Sequence, residues 1–357
     1  MSAAGLLPAG FRDRLPPDAE AAATLTRAVM DAVAGHGYAR VQPPIAEFED
    51  EAGAWLERPA NAAAFRATDP ASGRGLVFRG DITGQVARIA ATRLAAAPRP
   101  LRLGYAGPVL RSHAGQIDAA RERTQAGAEL IGSDAPAAVR EVLALAVEAL
   151  RACGADDLSV DVTLPGLVAE LAGGPWPHAD VAGLHAALDG KDAGALRAMG
   201  AQRYEALLAA AGSAAEALPA LRALGIAPDL LDEVEALVAS LDCAVTVDPT
   251  ERHGFEYQTR IGFSLFGAGA RAEIGRGGTY ALKGGEAAVG FSLYVDALVD
   301  AGLGRDARPR LFVGLGADAD AAAKYRRLGF ATVAALTPNE SPAGCTHVLD
   351  GAEARPL

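Results

Sequence analysis

LRLGYAGPVLRSHAGQIDAARERTQAGAELIG, residues 101–132, reads as two strands joined by a polar, glycine-containing loop too long for a tight hairpin turn. Side chains alternate along a strand, so Leu101, Leu103, Tyr105, Val109 and Arg111 share one face of the first. In the second, Arg121, Arg123, Gln125 and Glu129 share a face, and Thr124, Ala126, Ala128 and Leu130 line the other. One sheet face is thus expected to gather Arg111, Arg121, Arg123, Gln125 and Glu129 around a hollow. Guanidinium groups beside an amide and a carboxylate suit a small ligand that carries both a carboxylate and basic nitrogens. An exposed, salt-bridged edge hairpin has the same composition, and exposed ion pairs add little stability. The order of the surrounding motifs separates the two readings.

At 357 residues the chain can bury a full core and hold more than one structural unit. Half of the residues are hydrophobic and 22% are charged, as in a globular protein. No run of ~18 apolar residues is present to span a membrane. The opening MSAAGLLPAGFRDRLPPD lacks the basic-then-apolar layout of a secretory signal. Cys153, Cys243 and Cys345 are odd in number and far apart, which argues against a disulfide framework or a zinc knuckle and for a reducing cytoplasm. The net charge of −11 speaks against a grip on RNA phosphates, although a local contact remains compatible with it.

Along the chain, Pro17-Asp18 opens a helix whose Leu25, Val29, Ala32 and Val33 share a face, and Gly35 and Gly37 end it. Tyr38–Glu47 reads as a strand interrupted by Pro43-Pro44, which places it at an edge or an interface because proline cannot donate to a ladder. The short strand Leu76–Arg79 runs into a turn, where Asp81 and Thr83 stand at the start of a helix marked by Val86, Ile89, Ala90 and Leu94; capping is their simplest role. Beyond the central strands come a helix from Pro136 with Val139, Val142, Leu143, Ala146 and Leu150 on its buried side, and a strand alternating Leu158, Val160, Val162 and Leu164. Residues 166 to about 240 are helical and hold no catalytic constellation; His178 and His185 lack metal-ligand partners there. Strands are expected at Cys243–Val247, Phe255–Phe266 and Arg271–Ile274, followed by backbone close to another group at GRGGTY (Gly275–Tyr280) and a strand running into a helix over Ala288–Ala301. The last 49 residues carry a strand at Leu311–Val313, a Gly314-Leu315-Gly316 turn and a helix near Ala319–Leu328, for which a plain βαβ turn is a sufficient reading.

This order resembles the catalytic domain of histidyl-tRNA synthetase over roughly residues 5–305. The proline-bearing strand around Pro44 is similar to the first class II motif, which in that family forms the dimer interface. Arg79-Gly80-Asp81-Ile82-Thr83 is similar to the family's Arg-Pro-Glu-Gly-Thr turn, whose acid and threonine hold the histidine ammonium. Gly107–Arg111 is similar to the arginine strand of the second motif, and Arg121–Glu129 to its return strand, whose glutamine and glutamate contact histidine. Gly277-Gly278-Thr279-Tyr280 stands where the family has Gly-Gly-Arg-Tyr. The resemblance implies an α+β, class II synthetase-like antiparallel sheet flanked by helices, with the helical insertion at about 166–240. It places that domain at residues 1–306 and a short C-terminal α/β segment at 307–357.

The departures bear on activity. Ala297 replaces the third-motif arginine that grips ATP phosphates, His113 replaces a glutamate that seats ATP, and His253 stands where an arginine assists activation. Losing charge-stabilising groups at such a centre costs orders of magnitude in rate. An amino-acid pocket without ATP machinery is similar to the family of ATP phosphoribosyltransferase regulatory subunits. That resemblance implies no catalytic residues, cofactor or metal. It implies a cytoplasmic hetero-oligomer with the short catalytic ATP phosphoribosyltransferase, self-association as a dimer, and histidine as feedback effector in the first step of histidine biosynthesis. The expected histidine site is Asp81 and Thr83 at the ammonium, Arg111 at the carboxylate, and Gln125, Glu129, Tyr257, Gln258 and Tyr280 towards the ring. Gln258 stands where the family has a ring-contacting tyrosine, and Arg260 where regulatory subunits often have glycine. An active histidyl-tRNA synthetase and a free-standing histidine-binding paralogue are the alternative readings.

Overall fold

A computed structural model describes residues 6–57, 64–113, 119–252, 258–305 and 307–357. Two compact units divide the chain, Met1–Gly304 and Arg305–Leu357. The first begins with helix α1 (Asp18–Gly35), which buries Leu25, Val29 and Val33 as its periodicity requires. The chain after it is split by its prolines. β1 (Ala39–Arg40) pairs in parallel with β5 (Leu101–Leu110), whereas β2 (Ala46–Phe48) joins a separate three-stranded sheet with β3 (Arg66–Thr68) and β4 (Gly75–Phe78). The single strand expected over Tyr38–Glu47 is therefore two short strands in two sheets. Proline has no N–H to continue a ladder.

The carbonyls stranded between them are taken up by Arg79. Its buried guanidinium donates to the carbonyl oxygens of Pro43 at 2.9 Å and Pro44 at 3.3 Å, and also to that of Pro108 in β5 at 2.7 Å. Gly107 makes the room, because a Cβ there would lie 2.3 Å from an Arg79 terminal nitrogen.

Helix α2 (Thr83–Ala91) follows, then β5 and β6 (Glu122–Ile131), α3 (Pro136–Ala152) and β7 (Ser159–Thr163). The insertion carries α4 (Leu167–Gly173), α5 (Val181–Asp189), α6 (Ala193–Ala198), α7 (Glu205–Ala209), β8 (Gly212–Ser213), α8 (Ala214–Ala223) and α9 (Pro228–Ala239). His178 there only holds backbone, at Met199 O and Asp180 N. β9 (Ala244–Asp248), β10 (Gln258–Phe266), β11 (Gly275–Ala281), β12 (Ala287–Tyr294) and α10 (Val295–Asp300) complete the unit. Arg271–Ile274, expected as a strand, lies outside the strands. The strand starts at Gly275, so GRGGTY is itself sheet, with glycines at close approaches rather than at a turn.

The main sheet runs β1-β5-β6-β12-β11-β10-β7-β9-β8, with β1 at one edge. Its interior pairings from β5 to β7 are antiparallel, and β1–β5 and β7–β9 are parallel. On one face Ala126, Ala128 and Leu130 pack with α1 and α3 in the large core. On the other, Leu103, Tyr105, Val109 and Ile131 pack with Val86, Ala87 and Ala90 of α2. The alternation in residues 101–132 thus divides two cores, and the polar positions fall on the α2 side.

The second unit is a sheet ordered β14 (Ala331–Ala334), β13 (Arg310–Val313), β15 (His347–Asp350), β16 (Glu353–Pro356) with helix α11 (Ala319–Arg327). β14, β15 and β16 add to the strand and helix expected there, and its core gathers Leu311, Val313, Ala321, Ala322 and Leu349.

Candidate functional site

The site grows from Glu129, whose side chain is 1% exposed in the middle of the sheet. Gly290 of β12 is its cross-strand partner, and a Cβ there would lie 1.6 Å from Glu129 Oε2. Into the space left by that missing side chain, the Tyr280 hydroxyl donates to Oε2 at 2.8 Å. On the other oxygen, Oε1, Thr83 Oγ1 donates at 2.9 Å, and the Tyr105 hydroxyl lies 3.0 Å away. Tyr105 also meets Ser292 Oγ at 2.9 Å. Burial pushes the Glu129 carboxyl up to about 8, with nearby Asp81 adding to the rise, and the hydroxyl contacts counter part of it.

Gln125 is fixed by the protein itself. Its Nε2 donates to Asp81 Oδ1 at 2.6 Å and to Ser292 Oγ, and its Oε1 accepts from Ile82 N at 3.1 Å. Asp81 sits at the turn before α2, near Thr83 N and Oγ1 at 3.4 Å. It is thus tied into the site network as well as standing at the helix start.

Thr83, Glu129, Gln258 and Tyr280 line a hollow with Arg276, Gly278, Gly290 and Ser292. The atom-free space there, open solvent at its mouth included, is about 210 Å³. Asp81 and Gln125 are not part of this lining but are bonded to it, Gln125 through Ser292 and Asp81 through Thr83. The expected gathering of arginines around the hollow is not what the structure holds. Arg111 follows the last residue of β5, and its N–H donates to Arg121 O at 2.7 Å. The Arg121 guanidinium stacks over Phe11 and Phe65, and that of Arg123 lies 5.5 Å from the centre of the Tyr294 ring. Arg111 and Arg121 lie past the ends of β5 and β6, outside the reach of strand alternation, and none of the three arginines lines the hollow. Tyr257 and His253 lie outside the described residues.

Two of the positions that the resemblance aligns with ATP-handling residues are described. Ala297 packs against the large core, and His113 is exposed with its Nδ1 2.9 Å from Ser112 Oγ. Asp296, beside Ala297, accepts from Thr124 N at 2.6 Å and from Arg14. Arg260 turns away from the site to pair with Glu233 of α9 at 3.0 Å. Among the described residues, no three His, Cys, Asp or Glu side chains cluster as a metal site, and no helix is long and apolar enough to cross a membrane. Tyr105, Ser292, Gly290 and Arg276 are site residues that the sequence reading did not assign. Tyr105 shares the odd-numbered face with Glu129, and Ser292 and Gly290 alternate along β12, so the same period carried their signal.

A family model described as histidyl-tRNA synthetase matches residues 10–298. A protein of Paramagnetospirillum magneticum called ATP phosphoribosyltransferase regulatory subunit is 43% identical to the chain, covering 96% of each. The chain belongs to the ATP phosphoribosyltransferase regulatory subunits, within the histidyl-tRNA synthetase-like family. A regulatory subunit of Gluconobacter oxydans is 40% identical over 99% of this chain and 98% of its own length. Among solved structures, a regulatory subunit/histidyl-tRNA synthetase from Bacillus halodurans superposes with a TM-score of 0.80 over 96% of this chain and 95% of that one. At 24% identity, that likeness bears on the fold, and the fold of this regulatory subunit is the class II synthetase fold expected from its sequence.

Proposed function

We propose that this regulatory subunit performs no chemistry of its own, assembles in the cytoplasm with a short catalytic ATP phosphoribosyltransferase that depends on it, and carries histidine feedback to that partner. The observation that carries the reading is the contrast between the two halves of the site. The buried Glu129 keeps hydroxyl partners from Tyr280, Thr83 and Tyr105, whereas Ala297 and His113 stand at positions where a synthetase handles ATP. A buried carboxyl group at the wall of the hollow suits an imidazole N–H, because a charge-assisted hydrogen bond in a site of low polarity is stronger than one between neutral groups. Asp81 and Thr83 would meet the ammonium, Gln125 would hold Asp81, and Tyr280 would flank the ring, with Tyr257 at its far side and Gln258 at the ring end of the hollow. Arg111 would reach the ligand carboxylate only by leaving its present place.

In this reading histidine binds one state of the assembly better and shifts the population towards it. The strand at Pro44 would lie in a two-fold contact between like subunits, with residues 1–306 as the synthetase-like domain and 307–357 as a short appendage. The experiment is reconstitution with a short catalytic subunit, measuring phosphoribosyl transfer with and without histidine, alongside histidine-dependent pyrophosphate–ATP exchange by this chain alone. The expected result is transfer only in the complex, inhibition by histidine that Glu129→Ala relieves, and no exchange. Exchange at a synthetase rate, or transfer indifferent to this subunit, overturns the reading.

A further inference from the structure

Glycines form a lane across the sheet from Glu129. Gly290 of β12 is the partner of Glu129, Gly278 of β11 the partner of Gly290, and Gly262 of β10 the partner of Gly278, with Thr163 of β7 beyond. Adjacent strands are ~4.8 Å apart, so the glycine floor is roughly 10 Å long. A strand interior free of side chains at successive partners leaves space where another group can lie against backbone.

That group is Gln258. A Cβ on Gly262 would lie 2.6 Å from Gln258 Oε1, and one on Gly278 2.9 Å from its Nε2, so the carboxamide rests over both glycines. Nε2 donates to Gly277 O at 2.7 Å, and the residue is 6% exposed. A bulge aims it there. Between the pairs Gln258–Tyr280 and Gly262–Gly278, Thr259, Arg260 and Ile261 oppose the single residue Thr279. Thr279 Oγ1 accepts from Arg260 N at 3.0 Å and Ile261 N at 3.1 Å, supplying the acceptor that the ladder no longer offers. Such a bulge re-aims the side chain beside it. With Gln258 in place, the hollow leaves about 10 Å³ for the centre of a water-sized sphere, roughly the room for one water.

We propose that the Gln258 carboxamide is a displaceable plug of the site, standing in the lane where part of the ligand lies. The ligand must move it and replace the donor it gives to the Gly277 carbonyl. The site therefore selects compact ligands with an amide or azole N–H and disfavours purely aliphatic ones. The proposal rests on the reading of this hollow as an amino-acid site, but the plug can be read out without histidine.

The probe is imidazole, titrated by calorimetry into the full chain as wild type, Gln258→Ala and Gln258→Asn, with L-histidine titrated in parallel. The expected result is imidazole binding at least tenfold tighter to Gln258→Ala than to wild type, with the shorter carboxamide of Gln258→Asn in between. Should Gln258→Ala not fold, Gln258→Asn alone must show a gain. Equal imidazole affinity in wild type and variants, or no gain in either variant, overturns the plug. If imidazole gains but histidine binds no form, the plug stands and the histidine reading falls. If histidine binds while imidazole shows no gain, the site reading stands and the plug falls.

Discussion

The hydroxyl of Tyr280 on β11 reaches across β12 to donate to Glu129 Oε2 on β6 at 2.8 Å, and it can do so because the residue between them is Gly290. A methyl group at 290 would meet the same oxygen at 1.6 Å and the backbone carbonyl oxygen of Ala128 at 2.9 Å. Gly290→Ala should therefore break the pair and destabilise the protein by roughly 1–3 kcal/mol from overpacking alone. Denaturant unfolding checks the stability, and histidine calorimetry on the folded variant should show no binding.

Glu129 also sets a pH dependence. Its carboxyl sits near 8 in the fold against an ordinary 4.5, so the folded chain keeps a proton that the unfolded chain gives up. The stabilisation is complete below pH 4.5, declines as the pH rises from 4.5 to 8, and is lost above 8. Glu129→Gln removes that term. Its melting temperature should fall less than that of the wild type between pH 5 and pH 9, and a parallel fall in both would contradict the burial of an ionisable carboxyl.

The same proton should appear in ligand binding. A free imidazole has a pKa of about 6.5, so at about pH 5.5 histidine arrives as a cation and drives ionisation of Glu129, releasing about one proton. Near pH 7.5 the neutral ring takes the proton from Glu129 itself, and net release should approach zero. Calorimetry in buffers of different ionisation enthalpy measures this, and release independent of pH would separate the ligand from Glu129.

Arg79 should be a structural requirement of the proline segment. Arg79→Ala strips donors from the carbonyls of Pro43, Pro44 and Pro108 and from Gln85, with an expected loss of about 3 kcal/mol. Arg79→Lys keeps the charge without the planar fork and should recover less than half of it. Chemical denaturation of the three forms decides, and full rescue by lysine would show that charge alone suffices.

Period-two alternation in residues 101–132 was enough to place Tyr105, Gln125 and Glu129 on one face and Ala126, Ala128 and Leu130 on the other, because a strand in a sheet leaves its side chains no third direction. The helical faces of α1 and α3 were legible for the same reason, their apolar residues recurring once per turn. What the sequence determined by itself was local: which residues form strands and helices, which face each side chain takes, and, through the resemblance, which motifs are kept or lost.

Distance and register were decided only in three dimensions. Arg111 and Arg121 lie past the ends of β5 and β6, where alternation no longer fixes a face, and Arg123 near the start of β6 reaches the Tyr294 ring instead of the hollow. Gly290, Gly278 and Gly262 are far apart in the chain and become neighbours only through the pairing of β12, β11 and β10, and it is the bulge opposite Thr279 that sets Gln258 over two of them. Pairing across strands is long-range, and a bulge is a choice between registers of similar local preference. Its outcome depends on what the whole sheet and its two cores pack best, which no single stretch of the chain encodes.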